Sequence, residues 1–356
     1  MTAGIKDVAA EAGVSVGTVS NVLNRPDIVA PATRERVLGA IKRLGFVRNE
    51  SARQLRAGRS RSIGLVVLDV ANPFFTDVAH GAESVADAHD TMVMLCNSGE
   101  DPQRELRHLE MLEQQRVLGV LITPVDTKNP RIEAMIGRGM PIVLVDRRST
   151  RRNRCSVGVD DVLGGRLAVA HLLDQGHHRI AFVGGPATLQ QVRERRTGAE
   201  QAIEQAATGA RLRVLETPSL TVAAGKDAAA ELAALPAGRR PSAVFCANDL
   251  VALGVLQELT RRGIDVPRGV ALVGYDDIDF AAAATVPLSS IRQPREQLGR
   301  RAADLMFDVV ALGSAHKHQQ VVFEPELVVR DSSSLRRRRR GSSRTPAVEA
   351  AAVMGS

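Results

Sequence analysis

The chain has no tryptophan, one tyrosine and only three cysteines in 356 residues. Cys96, Cys155 and Cys246 are odd in number and far apart, which predicts reduced core thiols rather than a disulfide framework, and none stands in a metal or redox motif. His177-His178 likewise lacks Cys or carboxylate partners at ligand spacing and reads as loop before a strand. No apolar run reaches the roughly 18 residues of a membrane span. No signal-peptide pattern opens the sequence, and the two absences together predict a soluble, cytosolic protein without a membrane partner. No G-x-G-x-x-G or Walker-type loop follows the first strand, which disfavours a nucleotide cofactor. A nucleophile–base pair or metal cluster is missing too, so no catalytic residue and no metal are expected.

What the chain does have is concentrated at its start. Ile5 to Asn24 reads IKDVAAEAGVSVGTVSNVLN, two short amphipathic helical patterns hinged at Ala12-Gly13-Val14. Val8, Ala9, Ala12, Val14, Val19, Val22 and Leu23 recur at helical spacing and predict a miniature core. Two helices around a Gly-containing turn make a helix-turn-helix, whose second helix can enter the major groove of DNA. Ser15 can N-cap that helix, placing Val16, Gly17, Thr18, Ser20, Asn21 and Asn24 on or near its reading face. An exposed Asn21 can pair bidentately with adenine, and Val16 can pack on a thymine methyl. The same side chains would also serve as the solvated face of a small bundle.

A third helix begins at Ala30-Pro31-Ala32-Thr33, with Pro where its missing N–H costs nothing, and runs to about Leu44 before Gly45. Residues 49–56 then form a helical segment too short to be stable alone, so a partner should order it. Charge follows this division. Residues 1–61 carry eleven basic and five acidic side chains, and residues 331–356 carry six arginines against two acids. Those segments account for +6 and +4 of the overall +7, leaving −3 for residues 62–330. Phosphate neutralisation would place basic residues at a DNA-reading end in this way.

From Ser62 onward, continuous apolar runs at Ile63-Leu68, Met92-Cys96, Leu118-Thr123, Ile142-Val145, Ile180-Val183, Ala243-Cys246 and Val270-Val273 read as strands buried on both faces. Helical stretches at 74–89, 103–116, 161–175, 189–206, 222–235 and 248–262 separate them. That alternation means an α/β body with parallel sheets.

The motifs IKDVAAEAGVS, TVSNVLN, NESARQLR, NPFF, GHHRIAFVGG, CANDLVALG and VGYDD, spread over residues 4 to 331, resemble those of the lac-repressor (LacI/GalR) family of transcription regulators. The resemblance implies a helix-turn-helix headpiece over 1–48, a hinge helix and linker over 49–61, and an effector-binding and dimerisation body over 62–330. That body would be a periplasmic-binding-protein-like core of two parallel-sheet subdomains, about 62–160 and 161–291, with crossovers after 291. Residues 331–356 read as a disordered basic tail. In the hinge, Asn49, Ala52, Arg53, Leu55 and Arg56 would meet DNA, with Leu55 as the apolar wedge at the central base step. The chain departs from the family where Asn21 stands for the usual Arg, Gly4 for a Thr cap and Ala30 for a Ser or Thr. Losing a hydroxyl cap to Ala costs about 0.5 to 2 kcal/mol, and to Gly only tenths, so the headpiece is expected to be marginally stable off DNA.

The resemblance also places an effector between the subdomains, in agreement with the rule that ligands bind beyond the carboxyl ends of parallel strands. The candidates there are Asp69, Asn72, Phe74, Asp146, Arg147, Asn248, Asp249 and Asp276, with Arg193 and Arg195 after Gly184-Gly185 and Gln293 in a crossover. Asp249 and Asp276 can equally cap helices or turns, and Phe74 can be core. Carboxylates, amides and guanidinium groups together suit vicinal hydroxyls. Many family members carry an aromatic platform near Leu220; without one, a monosaccharide or related polyol fits better than a purine. The expected protein is a repressor of carbohydrate-utilisation genes that binds a palindromic operator as a homodimer, no tetramerising heptads being present after 331. The expected response is release from the operator by a sugar, with a purine-type co-repressor as the alternative. A sugar-binding receptor or a sugar enzyme would share the body but not the headpiece.

Overall fold

The computed structural model describes residues 3–46, 60–149, 151–207, 209–236 and 238–334. They belong to two compact units, one ending at Ser60 and one starting at Arg61. No helix among the described residues is long and apolar enough to cross a membrane.

The first unit packs α1 (Ile5–Ala12), α2 (Val16–Asn24) and α3 (Pro31–Leu44), with a short 3-10 turn at Pro26–Ile28. Gly13 and Gly45 end α1 and α3 in the left-handed region, at φ 65° and 58°, where a Cβ would be strained. Val8, Ala9, Ala12, Val19, Val22, Val37 and Ala40 are buried together, with Val14 and Leu23 packed at the margin. The caps follow the sequence. Ser15 Oγ accepts from Thr18 N at 3.1 Å, whereas Ala30 offers no side-chain cap. At Gly4 the backbone N–H donates to Asp7 Oδ2 at 2.8 Å, which supplies half of a capping box without a hydroxyl.

The second unit contains two six-stranded sheets. The first holds β1 (Ser62–Val67), β2 (Met92–Asn97), β3 (Val120–Ile122), β4 (Ile142–Val145), β5 (Cys155–Val159) and β11 (Gln320–Phe323), in the order β11-β5-β4-β3-β1-β2, all parallel. The other holds β6 (Arg179–Gly184), β7 (Arg211–Glu216), β8 (Ala243–Cys246), β9 (Ala271–Asp276), β10 (Ser289–Arg292) and β12 (Glu326–Val328), ordered β12-β10-β9-β8-β6-β7. Only the β12 pairing is antiparallel. The chain passes between sheets at 159–161, 292–295 and 323–326, so the return to the first sheet lies just past residue 291.

The helices are α4 (Pro73–Ala88), α5 (Pro102–Gln114), α6 (Pro130–Gly137), α7 (Asp161–Asp174), α8 (Gln190–Ala206), α9 (Val222–Ala234), α10 (Asp249–Arg261), α11 (Asp279–Ala283) and α12 (Arg295–Leu312). Central strands are buried throughout, as their unbroken apolar runs require. β2 is different. It lies at a sheet edge with Met92 64% exposed, which corrects its reading as a strand buried on both faces. The tail also begins later than expected: Ser332 and Ser333 are buried, and Ser332 Oγ donates to Leu272 O at 2.6 Å. The Arg-rich remainder from 335 lies outside the described residues.

Three helix pairs, α4 with α12, α7 with α8 and α9 with α10, cross by the same device. Each helix contributes one glycine, and each glycine faces a backbone carbonyl three residues before the partner's glycine. Gly81 meets Glu296 and Gly299 meets Val78; Gly165 meets Arg195 and Gly198 meets Val162; Gly225 meets Val251 and Gly254 meets Val222. A methyl group at any of these positions would overlap the facing backbone, which cannot rotate away as a side chain can. Gly165→Ala is therefore expected to destabilise the body by about 1–3 kcal/mol in urea denaturation. It should also loosen the backbone of Arg195. Gly137→Ala, where nothing lies within 4 Å, should be neutral or slightly stabilising.

Candidate functional site

Two sites emerge, one in each unit. In the first, Ser15, Val16, Gly17, Asn21 and Asn24 are exposed and Thr18 and Ser20 half-buried, all on α2 or its cap. Val16 is 42% exposed, so its methyl groups are accessible at the start of α2. The Asn24 amide folds back, donating to Ser20 O at 2.8 Å and Ser20 Oγ at 3.2 Å, whereas Asn21 projects from the exposed side one turn earlier. An uncharged amide with both donor and acceptor free to turn outward can read a base edge. Asn49, Ala52, Arg53, Leu55 and Arg56 lie outside the described residues.

In the second unit a cavity of about 240 Å³ opens where the two sheets' carboxyl ends meet. The first sheet's side supplies Leu68, Asp69, Asn72, Phe74, Phe75, Gly99, Glu100 and Asp146; the other supplies Gln191, Arg195, Ser219, Leu220, Thr221, Asn248 and Asp276. Several of these are helix caps as well as wall residues. Asn72 Oδ1 accepts from Phe74 N at 3.0 Å and Asn248 Oδ1 from Val251 N at 2.9 Å, so helix amino ends and their positive dipoles face the cavity. The Asn72 amide then reaches across to Asp276 Oδ2 at 3.3 Å, joining the two subdomains.

Arg195 is the fixed point of the cleft. Its Nε donates to Asp161 Oδ1 at 2.8 Å, Nη1 donates to Ala247 O at 2.6 Å and lies 3.8 Å from Asp276 Oδ1, and the guanidinium sits 3.6 Å from the Tyr275 ring centroid. Burial alone would lower its pKa, but Asp161, Tyr275, Asp276 and Asp146 together raise it, and it stays a cation. The acids move the other way. Burial pushes Asp146 up to about 7 despite Arg147, and Asp276 up to about 6 despite Arg195, Asn72 and Gln293. Asp146 Oδ1 and Gln191 Oε1 on the cavity wall are buried without a hydrogen-bond partner in the protein, as are Gln293 Oε1, Arg147 Nη2 and Tyr275 Oη behind it.

The structure brings Asp69, Asn72, Phe74, Asp146, Arg195, Asn248 and Asp276 together as expected, but not every candidate. Arg193 turns outward to the carbonyls of Ala187 and Thr188, at 2.7 Å each. Arg147 stands behind the wall, donating to Asp146 O at 2.6 Å and Oδ2 at 3.1 Å. Gln293 is also one layer back, donating to Asp276 Oδ1 at 2.8 Å. Asp249 faces inward and accepts from Ser290 Oγ at 2.7 Å and Ile278 N at 2.9 Å, so it holds the loop after β9. Sequence reasoning missed Glu100, Gln191, Ser219, Thr221 and the Arg195 partner Asp161. Reading β5 and β7 as strands would have marked Asp161 and 217–221 as strand-end residues. All three cysteines are free, and Cys155, which is buried, contacts His316 and His318.

Two measurements check these sites. With a folded pKa above its unfolded value, Asp146 contributes stability that is complete below about pH 4 and is lost as pH rises through about 7. Asp146→Asn abolishes that titration. Urea denaturation from pH 5 to 8 should show the stability difference moving in the variant's favour up to about pH 7, by at most about 1.4 kcal/mol per pH unit. For the α2 face, Asn21→Ala should relax preference at one base pair per half-site by about 1 to 3 kcal/mol in competition binding, leaving random DNA nearly unaffected.

Comparison with known proteins agrees with this architecture. A family model described as bacterial regulatory proteins, lacI family, matches residues 4–49, and one described as a periplasmic binding protein-like domain matches residues 169–333. The HTH-type transcriptional repressor PurR of Mannheimia succiniciproducens is 34% identical over 329 residues, covering 92% of this chain and 98% of that protein. The ribose operon repressor of Bacillus subtilis is 37% identical over 307 residues, covering 86% and 91%. Among solved structures, the lac repressor dimer bound to operator and the anti-inducer ONPF superposes with a TM-score of 0.80 at 26% identity, covering 94% of this chain and 99% of that one. With a headpiece, an α/β body and relatives matched over nearly their full lengths, the chain belongs to the lacI family of bacterial regulatory proteins.

Proposed function

We propose that the protein represses carbohydrate-utilisation genes in the cytoplasm, binding a palindromic operator as a homodimer and leaving it when a monosaccharide fills the cleft. The ribose operon repressor and the repressor PurR match almost equally, at 37% and 34% identity, so similarity does not choose between effectors. The chemistry of the cleft favours the sugar. The buried unpartnered atoms on its wall, Asp146 Oδ1 and Gln191 Oε1, are both acceptors, the complement of a ligand whose hydroxyls donate to carboxylate and amide oxygens. That is the observation on which the reading rests. The small cavity and an aliphatic Leu220 on its wall add support, since flat bases bind best where an aromatic ring can stack. Ligand contact is assigned to Asp69, Asn72, Phe74, Asp146, Arg195, Asn248 and Asp276, with Gln191 and Glu100 added.

Operator release then follows from linkage. A ligand that bridges Asp146 on one subdomain and Arg195 or Asp276 on the other favours one arrangement of the two, and can shift operator affinity only by its preference between arrangements. Asp276 is already tied to Asn72 across the cleft, so an arriving hydroxyl competes with an existing interdomain bond. Fluorescence-anisotropy binding to palindromic sites upstream of the protein's own gene, at two salt concentrations, tests this with a panel of monosaccharides and purine bases. Tight, salt-dependent binding released by one sugar is the expected result. Binding that appears only on adding a purine would establish the co-repressor reading instead, and operator affinity unmoved by any sugar would overturn the induction mechanism.

A further inference from the structure

Cys155 opens β5 at the end of the first sheet away from the effector cleft, four residues before the strand turns into the cleft at Val159. At about 3.3 Å per residue this separates it from the strand's cleft end by roughly 13 Å. The crossover after α12 passes beside it. His316 closes the 3-10 turn Gly313–Ala315 in extended conformation, and His316 and His318 alternate with Lys317, so both imidazoles lie on one side of the chain. Cys155 Sγ lies 3.2 Å from His316 Nε2 and 3.6 Å from His318 Nδ1. All three atoms fall within 4.8 Å of one another.

We infer that Cys155, His316 and His318 form a binding site for a borderline-soft transition-metal ion of the Zn²⁺ kind. A tetrahedral zinc with ordinary bond lengths holds a sulfur and a nitrogen ligand about 3.5 Å apart, and the two sulfur–nitrogen separations lie either side of that value. One thiolate and two imidazoles are a donor set such an ion prefers over the hard cations, which take oxygen. Two neighbours offset part of the cost of ionising the buried thiol, to which Asp308 adds. Gln319 N donates to Cys155 Sγ at 3.4 Å, and the Arg301 cation nearby, itself fixed by Gln319 Oε1 at 2.7 Å, favours negative charge on sulfur. Without a metal, burial holds the thiol above its ordinary pKa. The proton therefore leaves to solvent as the metal–sulfur bond forms. His318 is exposed and His316 half-buried, which leaves an entry path and room for water as the fourth ligand. An ion here would fasten the α12–β11 crossover to β5, far from any contact with effector.

Titration of the reduced, full-length, tag-free protein with Co²⁺, followed by Zn²⁺ competition, tests the assignment. The expected result is one Co²⁺ per chain, with tetrahedral d–d bands and a thiolate-to-cobalt charge-transfer band, displaced by Zn²⁺. Cys155→Ser should abolish the charge-transfer band and Cys96→Ser should leave it intact. His318→Ala, at an exposed position that leaves folding untouched, should weaken Co²⁺ binding by on the order of 100-fold. A spectrum lacking the charge-transfer band, a band that survives Cys155→Ser, or an affinity unchanged in His318→Ala would each overturn the site.

Discussion

Arg195 is a guanidinium buried at the meeting of two subdomains, and the cleft is arranged around the need to keep it charged and satisfied. A lone buried cation would cost several kcal/mol, so the edges and one face of the planar group are used. Asp161 takes its Nε edge, the Ala247 carbonyl takes Nη1, and the Tyr275 ring covers one face. The backbone beneath it is equally constrained, because the Arg195 carbonyl sits against Gly165, where no larger residue would let α7 and α8 approach. Burial raises the pKa values of Asp146 and Asp276 against the pull of Arg147 and Arg195 and leaves Asp146 with an unpartnered oxygen, a deficit that a ligand rich in donors relieves.

This arrangement makes the cleft a natural place for coupling. Among the described residues the two subdomains exchange chain at three points, and polar contacts such as Asn72 with Asp276 and Arg148 with Glu194 also join them. Polar contacts of this kind can be traded for contacts to a ligand at little net cost, whereas a packed core cannot. The reciprocal glycines hold each helix pair at close backbone contact.

Much of the fold was legible before any coordinates. The headpiece is local: Val8, Ala12, Val19 and Val22 follow helical spacing, Ser15 caps as its type dictates, and Gly13 and Gly45 mark the two ends. The strands β1, β3, β4, β6, β8 and β9 were equally plain, because a strand covered on both faces must be apolar along its length. Edge strands obey a weaker rule. β7, β11 and β12 alternate or run short, and β5 carries Ser and Gly, so none stood out. Missing β5 and β7 hid Asp161, Ser219 and Thr221, although strand ends were the right place to search.

By itself the sequence determined what depends on near neighbours along the chain: the helix-turn-helix and its caps, the alternation of apolar strands with helices, and the residue types that gather at strand ends. Only the tertiary structure decided which of those residues face one another. Arg193 and Arg195 are two positions apart on one helix and therefore point in nearly opposite directions, and the packing of α8 on α7 selects Arg195 for the cleft and turns Arg193 outward. Cys155 met His316 and His318 because a crossover after 292 returns the chain to the edge of the first sheet, a pairing across 161 residues that no local pattern records. Local preference is written in spacing; the convergence of distant side chains is a property of the packed chain.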